Sequence, residues 1–174
     1  MKRVVSVSLG SSKRNMRVET EVLGNKFIIE RIGTDGDMEK AIQLIGELDG
    51  QVDAFGMGGI DLYVVAGKRR YTFRDAKRIA RAAKITPIVD GSGLKNTLER
   101  KVVSQLEESG LLSWSGKKVF LVSGADRFGM AQALSQHGAQ LVFGDLMFAL
   151  GFPIPLTSLG KLELAAHTLA PLVC

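Results

Sequence analysis

Short runs of β-branched and apolar residues alternate along the chain with stretches whose apolar positions recur every three or four residues. Arg3–Leu9 has the pattern of a strand. Arg17–Val22 and Lys26–Ile32 flank Gly24-Asn25, a pair that tolerates the positive φ of a tight turn, and together predict a hairpin. Over Asp37–Leu48 the residues Met38, Ala41, Ile42, Ile45 and Leu48 share one helical face, and Thr34 with Asp37 resembles a capping box. Val52–Phe55 reads as a short strand, and Leu62–Ala66 with Arg70–Phe73 as a second hairpin around Gly67. Arg74–Lys84 is an amphipathic helix, Pro87–Val89 a strand and Leu94–Glu108 a helix. Lys117–Val122, Phe128–His137 and Leu141–Phe143 form a strand–helix–strand unit. Gly151–Gly160 reads as loop and Lys161–Thr168 as weak helix.

This alternation predicts an α/β fold with a mostly parallel sheet, βαβ units and a Rossmann-like C-terminal part. The polar joint Ser113-Trp114-Ser115-Gly116 suggests two domains, 1–112 on the substrate side and 113–174 a partial dinucleotide-binding domain. A length of 174 residues suits one domain or two small ones. The lone cysteine, Cys174, leaves no internal disulfide and fits a cytoplasmic setting. No apolar run reaches the roughly 18 residues of a membrane span. The greasiest stretch, Leu146 to Leu156, is cut by Pro153 and Pro155. The close Leu169–Cys174 is apolar where a further strand would begin, so the natural chain is expected to continue past Cys174.

Charge sharpens the picture. The net charge is +5, but Ala66–Lys101 holds eleven basic residues against Asp75, Asp90 and Glu99, a local excess of +8. Either this is a solvated face or an anionic partner meets it.

Glycine turns follow four of the strands: Gly10-Ser11-Ser12-Lys13, Gly56 to Asp61, Asp90 to Asn96, and Ser123 to Gly129. In open α/β sheets such turns let backbone N–H groups approach an anion at the carboxyl ends of the strands. The last is the most specific. Gly124, Ala125, Asp126, Arg127, Phe128 and Gly129 join a strand to a helix, and Asp145 follows Gly124 by 21 positions. A dinucleotide site needs glycines there, and an acidic residue about 20 positions on to hold a ribose. Asp126 stands where the middle glycine would be, and Arg127 can offset its charge.

Lys95, at the start of the helix opening at Leu94, sits where the dipole disfavours its charge, so a depressed amine pKa and a catalytic role are expected. Asp61 or Asp90 would orient it as proton acceptor. Ser11, Ser12, Lys13 and Arg14 are candidates for holding a substrate carboxylate. His137 closes a helix and His167 stands alone, so no metal cluster is expected.

The stretches Val4 to Ser12, Glu30 to Asp37, Val89 to Arg100 and Asp126 to Ala131 carry a resemblance to a bacterial family known as quinate 5-dehydrogenase, related in name to the shikimate dehydrogenases. The resemblance implies an oxidoreductase using NAD or NADP on a cyclic polyhydroxy carboxylic acid. The shikimate dehydrogenase elements Asn-Val-Thr-x-Pro-x-Lys and Asn-Thr-Asp are not present intact, and Thr34-Asp35-Gly36 is a fragment of the second. Lys95 and Asp90 therefore stand on their chemistry alone. The expected partner is a small carboxylic acid, with no membrane and with room for a homo-oligomer. A non-catalytic nucleotide- or metabolite-sensing domain is the alternative. A nucleic-acid binder using the basic helix 74–84 ranks last, because only Tyr71 and Phe73 are near that face for stacking.

Overall fold

The computed structural model describes residues 1–173, so Cys174 lies outside the described residues. The chain is mixed α/β and divides into two compact units, Met1–Leu62 with Thr72–Gly91, and Tyr63–Tyr71 with Ser92–Cys174.

In the first unit the strands are β1 (Lys2–Ser8), β2 (Met16–Val22), β3 (Asn25–Gly33), β4 (Ala54–Gly58) and β7 (Ile88–Val89). They form one sheet in the order β2-β3-β1-β4-β7, parallel except for the β2–β3 hairpin. The helices are α1 (Met38–Leu48) and α2 (Arg74–Ala80). Side chains alternate across a sheet, so Val5 and Val7 point to one face and Ser6 and Ser8 to the other. The first face is the core: Val5, Val7, Phe55 and Met57 meet Ala41 and Ile45 of α1 and Ala76 and Ile79 of α2.

The second unit holds the hairpin β5 (Tyr63–Ala66) and β6 (Arg69–Thr72, whose last residue falls in the first unit), then α3 (Ser92–Asn96), α4 (Leu98–Glu108), β8 (Lys118–Leu121), α5 (Phe128–Gln136), β9 (Gln140–Phe143), α6 (Asp145–Leu150) and α7 (Leu159–Val173). β8 and β9 pair in parallel around the α5 crossover. Phe128, Ala131, Leu134, Leu141, Phe143 and Leu162 centre its core, joined by Ala66 of the hairpin and Val103 of α4.

Several expectations are corrected. Along the chain the units alternate, the second taking Tyr63–Tyr71 and resuming at Ser92, and Trp114 ties the Ser113–Gly116 joint to α4: its indole N–H donates to the Val103 carbonyl and its backbone N–H to Glu107. Asp37 is itself the N-cap of α1, accepting from the Lys40 N–H at 2.9 Å, so Thr34 is not the cap. The turn of the first hairpin is Leu23-Gly24, both with positive φ (51° and 73°), since Val22 pairs with Asn25. The helix expected over Leu94–Glu108 breaks at Thr97 into α3 and α4. Asp145–Leu150 is helical and is ended by left-handed Gly151. The apolar close continues α7 as far as Val173 and does not open a strand.

Candidate functional site

Because β1, β3, β4 and β7 are parallel, their carboxyl ends and following turns lie along one edge of the first unit. The chain there crosses itself closely. A Cβ on Gly33 would stand 2.5 Å from the Ser11 carbonyl oxygen, and one on Gly58 would stand 2.7 Å from the Ser8 Cβ. The backbone N–H groups of Thr34, Asp35 and Gly36 donate to the carbonyls of Ser8, Gly10 and Leu9. Asp35, with φ +54°, accepts from the Ser12 N–H at 2.7 Å. The hydroxyl and backbone N–H of Ser12 hold its carboxyl below the ordinary aspartate range.

Two guanidinium groups converge on this turn. The point where a Cβ on Gly10 would stand is 2.7 Å from Arg14 Nη2 and 2.9 Å from Arg31 Nη2. Arg31 donates to the Ser11 carbonyl at 3.0 Å and to Ser8 Oγ at 2.9 Å. Among the described residues neither arginine has a carboxylate partner. Two neighbouring cations with no counter-charge repel each other, and an anion between them would relieve that repulsion. Of the residues expected to hold a carboxylate, Ser11, Ser12, Lys13 and Arg14 share this turn, Ser12–Arg14 forming a single 3-10 turn. Arg31 was not anticipated. It comes from β3, in register with Ser6 of β1. The available signal was its parity: Arg31 alternates with Ile32 along β3, which puts its charge on the face opposite the core.

The turn after β8 is arranged differently. The Gly124 and Ala125 N–H groups donate to Asp145 Oδ2 and Oδ1, both at 2.8 Å. Packing keeps Gly124 small, since a Cβ there would strike the Phe143 ring and lie 2.8 Å from Leu162 Cδ2. At Gly129 a Cβ would lie 3.0 Å from the Lys95 carbonyl oxygen. Phe128, which opens α5, is buried in the core. Asp126 pairs with Lys95 Nζ at 2.5 Å and with Arg127 Nε at 3.4 Å, and Arg127 in turn holds Glu99. The amides that would take a pyrophosphate and the carboxylate that would take a ribose are bonded to each other.

Lys95 lies in the last turn of α3 and not at a helix start, which removes the dipole argument for a depressed amine. Asp61 and Asp90 belong to the first unit, where Asp90 Oδ2 accepts from the Leu62 N–H at 2.6 Å. The basic residues Arg74, Lys77 and Arg78 of α2 and its C-cap Arg81 are exposed, and Arg78 pairs with Glu39 at 2.6 Å. His137 meets Ser104 Oγ at 3.1 Å. His167 is not alone: it bonds the Tyr71 hydroxyl through Nδ1 and faces Glu163 at 3.4 Å. Among the described residues no His, Cys, Asp and Glu group could hold a metal ion, and no helix is long and apolar enough to cross a membrane.

Residues 3–90 match a family described as a domain of unknown function (DUF8753), and residues 93–174 match a second, also described as a domain of unknown function (DUF8754). No curated protein and no solved structure matches the chain. The boundary between the two matches, 90/93, brackets Gly91/Ser92, where the chain last passes from the first unit to the second. By the match over residues 3–90, which takes in half of its length, the chain belongs to the DUF8753 domain family.

Proposed function

We propose that the first unit binds a small hydroxy carboxylic acid, with its carboxylate gripped between Arg14 and Arg31. The observation that carries this reading is the convergence of two uncompensated guanidinium groups on Gly10. Guanidinium donors form a planar fork that matches the two oxygens of a carboxylate, so two forks facing one point make an anion clamp. Ser11, Ser12 and Lys13 belong to the same turn, where the serine hydroxyl oxygens can accept from ring hydroxyls and the lysine ammonium can donate to them. The resemblance to the quinate 5-dehydrogenase family favours a cyclic polyhydroxy acid over other anions of similar size. Calorimetric titration with quinate and its methyl ester tests this. Quinate should bind at least about tenfold more tightly, the worth of a hydrogen-bonded charge. Equal affinities, or no binding of either, would overturn the reading.

A second reading makes the chain an oxidoreductase that uses NAD or NADP to oxidise that acid. It is favoured by the parallel β8–α5–β9 unit, a strand–helix–strand connectivity that dinucleotide-binding half-domains also use. On this reading the turn after β8 would hold the dinucleotide, which would take the hydride, and Lys95, Asp61 and Asp90 are the separate candidates for the group that takes the alcohol proton once unprotonated. Reduction of either dinucleotide in the presence of quinate would support it. Binding of quinate with no reduction makes the chain a non-catalytic metabolite-binding module.

A further inference from the structure

In the second unit α4, α5 and β8 border a cleft of about 340 Å³, at the small end of the range for ligand sites. Its walls are apolar, with Val102 and Leu106 from α4, Leu121 from β8, Met130 from α5 and the ring of Trp114. Leu98 and Val102 form an exposed rim, 52% and 46% accessible. One ionisable residue lines the cleft, Glu99 in the first turn of α4. One of its carboxylate oxygens holds Arg127; the other, Oε2, is buried and has no hydrogen-bond partner.

An unpartnered buried carboxylate oxygen is costly, and folded proteins rarely keep one unless something else completes it. The missing group is not another charge. Lys95 is matched by Asp126 and Arg127 by Glu99, so an added ammonium or carboxylate would leave an unbalanced charge against apolar walls. What is lacking is a neutral donor attached to an apolar body.

We propose that this cleft binds a compact, uncharged, apolar molecule carrying one hydroxyl or N–H, which donates to Glu99 Oε2. Oε2 is itself buried, so on this proposal the Glu99 carboxylate turns toward the cleft as the molecule enters. This site is independent of the arginine clamp in the first unit and does not rest on it.

Trp114 is the single tryptophan of the chain and lines the cleft, so its emission reports occupancy directly. The probes are adamantan-2-ol and adamantan-2-one, which share shape and bulk but differ in that only the alcohol donates. The alcohol should change Trp114 emission saturably, and the ketone should bind at least about tenfold more weakly, as expected of one hydrogen bond to a charged acceptor. Glu99→Gln keeps the side-chain size and supplies an N–H, so the preference should vanish or reverse. Val102→Phe fills the cleft from its exposed rim and should abolish both responses. If Glu99→Gln fails to fold, the wild-type ratio still decides. Equal binding of the two probes, no saturable response, or binding that survives Val102→Phe would overturn the proposal. So would a response set by protein concentration and not by the probe, because a second copy would then be covering the cleft.

Discussion

The turn after β1 and the turn after β8 use the same device and end in opposite states. Each follows a parallel strand, is built on glycine and serine, and brings its backbone close to a neighbouring segment. At the β8 turn the anion is already present: Asp145 reaches back and takes two amides at 2.8 Å. At the β1 turn Asp35 takes the Ser12 amide, while two guanidinium groups stand together with no carboxylate partner among the described residues. One turn holds a carboxylate on its own amides, and the other gathers two guanidinium groups. A glycine turn after a parallel strand therefore does not by itself identify a ligand site; what its polar groups already bond to decides the matter.

The largest effect expected from breaking this comparison is at the open turn. Arg31→Met should weaken quinate binding by about 100-fold, the upper range for a lost charge-assisted fork. Arg14→Gln should weaken it too and slightly raise the melting temperature of the ligand-free protein, because it relieves repulsion between the two cations. Calorimetry and thermal melts read the two effects separately. A stability loss in Arg14→Gln with binding intact would mean that the pair is structural.

At the closed turn, Asp145→Asn should destabilise the protein by about 2 kcal/mol, because an amide cannot accept from both N–H groups and brings a donor against one of them. Urea unfolding measures this. The same variant sharpens the functional question. If NAD or NADP binds the variant but not the wild type, Asp145 is a plug in a dinucleotide site; if neither protein binds, the carboxylate is only the clasp of its own turn.

Asp49 repeats the Asp145 arrangement within the first unit. Its carboxylate accepts from the N–H groups of Lys84, Ile85 and Thr86, the closest at 2.8 Å. The Thr86 N–H is the main cause that holds the Asp49 carboxyl below its usual 3.8. A folded-state pKa lowered in this way means that Asp49 stabilises the fold above the unfolded value and that its contribution is lost as pH falls through the folded value. Asp49→Asn should therefore melt earlier than wild type at pH 7, and the gap should close as pH drops below 3.8. A gap that persists in acid would assign the effect to packing.

The smallest expected change serves as a control. Leu23 is 95% exposed and left-handed in the hairpin turn, a conformation that costs a leucine about 1 kcal/mol relative to asparagine or glycine. Leu23→Asn should gain about that much in urea unfolding and leave quinate affinity unchanged. Altered affinity would show that binding follows global stability and not the clamp.

Much of the fold is legible because it rests on local periodicity. The alternation in Arg3–Leu9 and the helical face Met38, Ala41, Ile42, Ile45 and Leu48 correspond to β1 and α1, with Val5, Val7, Ala41 and Ile45 in one core. The turn after β1 was legible as a candidate anion site because serines, a lysine and an arginine follow a strand directly. Thr97 was not legible as a break, since nothing in Leu94–Glu108 interrupts the apolar repeat. Leu23 was not legible either: a one-residue shift of the hairpin turn depends on which cross-strand pairs close, and here Val22 closes with Asn25.

By itself, the sequence determined the order of strands and helices, the places where glycine turns interrupt them, and the face of each element that carries apolar side chains. These properties depend on neighbours within a few residues, where the periods of helix and strand operate. Only the tertiary structure decided which charges meet. Arg31 joins Arg14 because parallel pairing of β1 with β3 brings their carboxyl ends together, across 17 positions of chain that carry no mark of it. Asp145 turns to Gly124 and Ala125, where a ribose had been expected, because the parallel β8–β9 pair sets its carboxylate beside their amides. Lys95 meets Asp126 for the same kind of reason, across a separation of 31 residues. Side-chain ion pairs and hydrogen bonds act over about 3 Å, so strand register and chain crossing choose among partners that spacing along the chain cannot tell apart.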